Sequence, residues 1–276
     1  MKKRKEINRR DFLKVLGTST TSAALLYGCT SNNNSISSKT SVQGEVPTDK
    51  MTYRTSLSGD KVSLLGYGCM RWPLKASPDG NGEIVDQDAV NELVDYAIAH
   101  GVNYFDTSPV YVQGFSEKAT GIALKRHPRE KFFIATKMSN FQNYTRENSI
   151  AMYNQSFKEL QVDYIDYYLL HSILDFLQKE KEAGRIRNLG WSFHGYVDVF
   201  DYLLSLDIKW DFVQIQMNYV DWRHAFGRNV NAEYLYGELA KRNIPAIIME
   251  PLLGGRLSNL SDNLVARLKQ RRPDSS

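Results

Sequence analysis

The sequence predicts an α/β fold of the TIM-type (β/α)8-barrel kind, and three observations carry that expectation. Apolar runs of strand length recur along the chain and alternate with stretches whose apolar residues fall at helical spacing, the pattern of repeated strand–helix units around a parallel sheet. Three of those runs finish on polar residues able to do chemistry: Asp106, with Tyr111 five residues on, in VNYFDTSPVY, Lys137 in KFFIATK, and His171 in YIDYYLLH. A parallel sheet gathers its strand C-termini at one end, so groups distant in sequence can meet in one pocket. The third observation is size. With 276 residues and 42% hydrophobic content the chain can bury one core, and about 250 residues is usual for a single barrel domain.

Taken in order, MTYRTSLSGDKVSLLGYGC predicts a hairpin turning at Ser58-Gly59-Asp60, followed by the first barrel strand over 64–68. Val90, Leu93, Val94, Ala97 and Ile98 mark the first helix, which stops at Gly101. The second strand runs from Val102 to Asp106. A helix over 116–125 precedes a strand over 132–137, and a helix over 146–160 precedes a strand over 164–171. Three further pairs follow: LDFLQKEKEAG then IRNLGWS, VDVFDYLLSL then DFVQIQMN, and AEYLYGELAKRN then AIIME. The count is seven strands, and LSNLSDNLVARLKQRRPDSS adds a last helix. The barrel is therefore expected to be incomplete, its eighth strand and helix missing, and the chain to be a fragment of a longer protein. An unclosed barrel would leave two strand edges unpaired.

The N-terminus reads as something other than barrel. Residues 1–28 hold seven Lys or Arg and two acidic residues, a net of +5, whereas the whole chain carries +4. The remainder is thus 4 − 5 = −1, which excludes a nucleic-acid footprint. The basic head, the run Asn8-Arg9-Arg10-Asp11-Phe12-Leu13-Lys14 and a short apolar stretch look like a twin-arginine export signal. An amphipathic helix with a basic start is the competing reading, and the stretch is too short to span a membrane. Leu26-Tyr27-Gly28-Cys29 resembles a bacterial lipoprotein box with Cys29 lipidated, although Tyr27 is bulky for one. The polar tract over 29–50 is read as a tether, and 51–276 as the barrel domain. These signals imply export to the periplasm or lipid anchoring in the cell envelope. Cys69 would then be the one free thiol, and no structural disulfide is expected.

The four polar residues suggest carbonyl reduction or its reverse. A Tyr hydroxyl, with an ordinary pKa of ~10, holds its proton at neutral pH, yet can give it to a nascent alkoxide if a cation eases the transfer. Lys137 would be that cation, Asp106 its fixed counter-ion, and His171 a hydrogen-bond donor orienting the carbonyl. Singly, each has an ordinary explanation, since an Asp ending a strand often caps the next helix and a Lys there is often a solvated charge. It is their conjunction that carries weight. His100, His127, His194 and His224 show no ligand spacing, and no metal site is proposed.

In order and spacing these residues resemble the tetrad of the aldo/keto reductase family: an Asp, a Tyr five residues later, then a Lys and a His on the next two strands. Lys137 lies 31 residues beyond Asp106, and His171 lies 34 beyond Lys137. The motifs LLHS, AGRIRNLGWSFH, WDFVQIQMNYVDW and MEPLLGGRL extend the likeness over about residues 51 to 268. They resemble most a bacterial branch whose members continue into a ferredoxin-like, cysteine-rich tail. With two cysteines in all, no such cluster can be bound here.

The resemblance implies a small aldehyde or ketone as substrate and NADPH or NADH as cofactor. Ser192 and Gln214 would hold the nicotinamide amide, with Phe193 where the family has an Asn. Met249 would stand where an aromatic residue usually stacks on the ring. Pro251, Leu252 and Gly254 would form the turn approaching the diphosphate. Trp72, on the loop after the first strand, is the expected pocket wall. The family's loop after the eighth strand, which holds the adenosine phosphate, has no counterpart, and the loop between His171 and Leu174 is short. A second reading therefore stays open, that of a non-catalytic envelope lipoprotein or truncated remnant that no longer binds dinucleotide. A barrel hydrolase or lyase would need a metal or carboxylate pair that the sequence does not offer.

Overall fold

A computed structural model describes residues 46–139, 143, 145–170, 173–223, 231–258 and 260–271. They form two compact units, one reaching Ser192 and including Lys209–Phe212, the other comprising Phe193–Ile208 and the residues from Val213 on. The export signal, Cys29 and His171 lie outside the described residues.

The first unit opens with an antiparallel hairpin, β1 (Tyr53–Thr55) and β2 (Lys61–Ser63). Its turn passes through Gly59 at φ 88°, a left-handed conformation that only glycine adopts freely. The first barrel strand, β3 (Tyr67–Gly68), is shorter than its apolar run suggested, because Leu64 and Leu65 are 65% and 61% exposed and join no strand. A 3-10 turn, Cys69–Arg71, leads to a second hairpin that the sequence reading did not contain, β4 (Leu74–Ala76) with β5 (Glu83–Val85). Helix α1 (Gln87–Ala99) buries Val90, Val94 and Ala97, one stripe at helical spacing.

The strand–helix alternation then proceeds as expected: β6 (Tyr104–Asp106), α2 (Ser116–Leu124), β7 (Phe133–Lys137), α3 (Arg146–Leu160), β8 (Ile165–Leu170), α4 (Leu174–Glu182) and β9 (Ile186–Phe193). The parallel order within this unit is β3-β6-β7-β8-β9. All six residues of β8 are buried, as a strand covered on both faces requires. Thr145 caps α3, its side chain accepting from the Asn148 N–H at 3.3 Å. Helices α2 and α3 approach so closely at Gly121 that a Cβ there would lie 2.4 Å from the Glu159 carbonyl oxygen.

The hairpin β1–β2 attaches to the beginnings of the parallel strands. Ser63 N–H donates to Asn103 Oδ1 at 2.7 Å, and Asp60 Oδ2 accepts from Tyr167 and Asn188, each at 3.2 Å. Close by, the fully buried Asp166 pairs with Arg129 and Arg187 and accepts the Ile134 N–H. That end of the unit is closed by structure, which leaves the strand C-termini for chemistry.

The second unit contains α5 (Val197–Ser205), α6 (Ala232–Lys241), α7 (Asp262–Arg271) and the parallel pair β10 (Phe212–Gln216) and β11 (Ala246–Met249). Helix α5 buries Val199, Phe200 and Leu203. With these two, the parallel strands among the described residues number seven.

Candidate active site

Asp106 is the last residue of β6 and Lys137 the last of β7. In the register of this pair Asp106 faces Ala135. Lys137 is two residues further on, hence on the same face as Ala135 and Asp106. The ammonium reaches back to close the gap: Lys137 Nζ donates to Asp106 Oδ1 at 2.8 Å and to the Tyr111 hydroxyl oxygen at 3.1 Å. It also lies 4.7 Å from the centre of the Tyr111 ring. The lysine side chain is only 7% exposed. Burial opposes its charge, but Asp106 and then Tyr111 outweigh that penalty and raise its pKa above the ordinary lysine value. The site therefore keeps a cation beside the Tyr111 side chain across the physiological range.

Tyr111 opens a 3-10 turn, Tyr111–Gly114, in which Val112 and Gln113 take φ of 50° and 56°. A β-branched residue rarely adopts that conformation. The turn is held by neighbours: the Tyr111 N–H donates to the Ser108 carbonyl at 3.1 Å, and the Ser108 and Ser139 hydroxyls meet at 2.8 Å. Three of the four residues expected to form the site are thus brought together. The fourth, His171, lies outside the described residues.

A buried polar layer supports the trio. Ser116 donates to the Cys69 carbonyl and meets the Thr107 hydroxyl, both at 2.8 Å. Trp72, expected to line a pocket, is 4% exposed, stacks on Tyr67 and donates its indole N–H to Thr120 at 3.0 Å. Sequence reasoning missed Glu117. This carboxylate is 2% exposed and accepts from Thr136, the neighbour of Lys137, at 2.6 Å. Burial pushes its pKa up to about 7. The thiol of Cys69 is likewise buried and raised.

Of the residues expected at a cofactor, Ser192 is buried near the end of β9 in the first unit. In the second unit Gln214 is buried within β10, Phe193 packs on Phe200, and Met249 ends β11 half-buried. Pro251, Leu252 and Gly254 fall in a succession of turns, with Gly254 at φ 67°. A hydroxyl and a carboxamide are chemically suited to a nicotinamide amide, and the Tyr–Lys couple is suited to the carbonyl such a ring would reduce. Taken one by one, these groups are of the chemical type that binds parts of a nicotinamide dinucleotide.

Residues 64–275 match the Aldo/keto reductase family. L-galactose dehydrogenase of Arabidopsis thaliana is 33% identical over 168 residues, which are 54% of this chain and 50% of that protein. The chain spans about half the length of the curated relatives it matches. Among solved structures, the holo form of aldo-keto reductase AKR11C1 from Bacillus halodurans superposes with a TM-score of 0.59 and 27% identity, covering 77% of this chain and 71% of that one. The Bombyx mori aldo-keto reductase solved in complex with NADP gives a TM-score of 0.55 at 22% identity, over 72% and 66%. These likenesses put the fold in the (β/α)8-barrel class. With a family match across most of its length, and with Asp106, Tyr111 and Lys137 joined in one hydrogen-bonded group, the chain belongs to the aldo/keto reductase family, whose members are NAD(P)H-dependent oxidoreductases.

Proposed function

We propose that this chain reduces an aldehyde or ketone, with Tyr111 as the proton donor. The observation that carries the reading is the Lys137 ammonium bonded at once to Asp106 and to the Tyr111 hydroxyl. A bound NADPH or NADH would supply the hydride. Tyr111 gives its proton to the carbonyl oxygen, the product is the alcohol, and the phenol is restored by a proton from solvent. Lys137 stabilises the negative charge left on the phenol oxygen during transfer, and Asp106 holds the ammonium in place. His171 orients the carbonyl by a hydrogen bond. Each unit carries residues proposed for the dinucleotide: Ser192 in the first, and Gln214, Met249, Pro251, Leu252 and Gly254 in the second.

Titration of the purified chain with NADPH and NADH, followed through its four tryptophans, tests the cofactor half of this reading. Saturable quenching is the expected result, and its preference between the two nucleotides assigns the cofactor. A folded sample that binds neither would instead favour a non-catalytic remnant. The N-terminal sequence supports a further element of the proposal, namely export by a twin-arginine-type signal and lipidation at Cys29. Cells fed a palmitate analogue should label the chain, and Cys29→Ser should abolish the label. An unlabelled native chain would refute the anchor.

A further inference from the structure

Glu117 is a buried carboxylate that the proposed reaction does not use. It is the second residue of α2, where an acidic side chain ordinarily points to solvent and favours the helix dipole. Here it faces inward. Its Oε1 accepts the Thr136 hydroxyl at 2.6 Å, while Ser156 of α3, whose own hydroxyl donates to the Met152 carbonyl at 3.3 Å, also favours its ionised form. Thr136 and Ser156 are both fully buried. An amide would satisfy the Thr136 hydroxyl equally well without the desolvation that a carboxylate suffers, so structure alone does not call for an acid here.

Its position connects it to the site on two sides. Thr136 immediately precedes Lys137 on β7 and, by strand alternation, projects from the opposite face. Helix α2 begins directly after the Tyr111–Gly114 turn, at Phe115–Ser116. The Glu117–Thr136 bond therefore joins the strand that carries the ammonium to the helix that follows the phenol. The charged and titratable groups around the carboxylate are few. Among the described residues, Glu159 of α3 acts on it, Lys137 acts on it more weakly through β7 from the strand's other face, and Tyr168 of β8 feels its charge. Lys118, next to it on α2, is exposed.

We propose that Glu117 is a positioning residue for the Lys137–Tyr111 couple, holding the end of β7 through Thr136 and altering, by its own ionisation, the field that Lys137 exerts on Tyr111. Ionised, it compensates part of the lysine charge, so the phenol gives up its proton less readily. Neutral, it leaves that charge in full. The expected ionisation point, about pH 7, falls where a cell could use it. The kinetic part of this inference rests on Tyr111 being the proton donor, whereas the electrostatic part does not.

Two measurements separate them. In the wild-type chain, NMR titration of the labelled Glu117 carboxyl should give an inflection near pH 7, and the Lys137 ammonium nitrogen should shift with the same midpoint. Thr136→Val, which removes a hydrogen bond that lowers the Glu117 pKa, should move both midpoints to higher pH. In steady-state reduction, kcat should fall by roughly threefold as pH rises through that midpoint, with KM unchanged. Glu117→Gln, which keeps the acceptor and removes the charge, should abolish the inflection. A Lys137 resonance that stays still while Glu117 titrates overturns the coupling, and this result needs no variant and no turnover. If Lys137 responds but the rate profiles of wild type and Glu117→Gln coincide, the kinetic role is refuted. Failure of the Tyr111 assignment would show itself separately, as an active Tyr111→Phe enzyme.

Discussion

At the scale of single residues the site is a charge balance. Lys137 is buried, and burial alone would lower its pKa, yet Asp106 at 2.8 Å, with Tyr111, reverses the sign. Asp106→Asn keeps the shape and removes that compensation. Desolvation then dominates, the lysine pKa falls, and the alkaline limb of the kcat profile moves to lower pH. The loss of kcat at neutral pH should be on the order of a hundredfold, the lower range for impaired acid–base catalysis. Glu117 makes a distinct prediction about stability. Its folded pKa, about 7, lies above the ordinary 4.5. Between those values the unfolded chain ionises first, so this group's contribution to stability is present at low pH and lost as pH rises through 7. The melting temperature of Glu117→Gln relative to wild type should therefore increase between pH 5 and pH 8, as scanning calorimetry can establish. Asp106, Tyr111 and Lys137 could be recognised in sequence because each stands at or just beyond a strand end, where a polar residue interrupts an apolar run. Glu117 could not, since an acid in the first turn of a helix looks like ordinary dipole complementation, and only packing reveals that it points inward.

At the scale of elements, periodicity decided what could be read. Helix α3 occupies the stretch its pattern indicated, Arg146 to Leu160, and β7 and β8 lie within a residue of their apolar runs. The hairpin β4–β5 escaped because the residues of β4 are all exposed and those of β5 nearly so. A pair with no buried face leaves no alternation to detect. The first barrel strand was read too long for the converse reason, since Leu64 and Leu65 are apolar but exposed. The α2–α3 contact depends on one small residue. Gly121→Ala would place a methyl 2.4 Å from the Glu159 carbonyl and 2.7 Å from Leu160 Cα, forcing backbone to move. The expected cost is about 1–3 kcal/mol in urea denaturation. Because Glu117 lies one helical turn before Gly121, the variant should also lower kcat, and unchanged kinetics would mean that helix position and site are independent.

At the scale of the molecule, the first unit separates structure from chemistry along its strands. The starts of the strands are tied down by the β1–β2 hairpin and by the Asp166–Arg129–Arg187 group. The ends of β6 and β7 carry Asp106 and Lys137, with Tyr111 of the following turn bonded to the lysine. Asp60→Ala should accordingly lower thermal stability by removing the acceptor for Tyr167 and Asn188, by about 1 kcal/mol, since Asn188 keeps its bond to the Asp166 carbonyl at 2.9 Å. Turnover per folded molecule should not change. An equal loss of kcat would show that the two ends are coupled.

Whether Tyr111 delivers the proton in carbonyl reduction is decided by the rate of Tyr111→Phe measured beside its nucleotide affinity. The variant should bind NADPH or NADH as the wild type does while kcat for carbonyl reduction falls by at least about a hundredfold. A Tyr111→Phe enzyme that turns over at the wild-type rate would contradict Tyr111 as the donor.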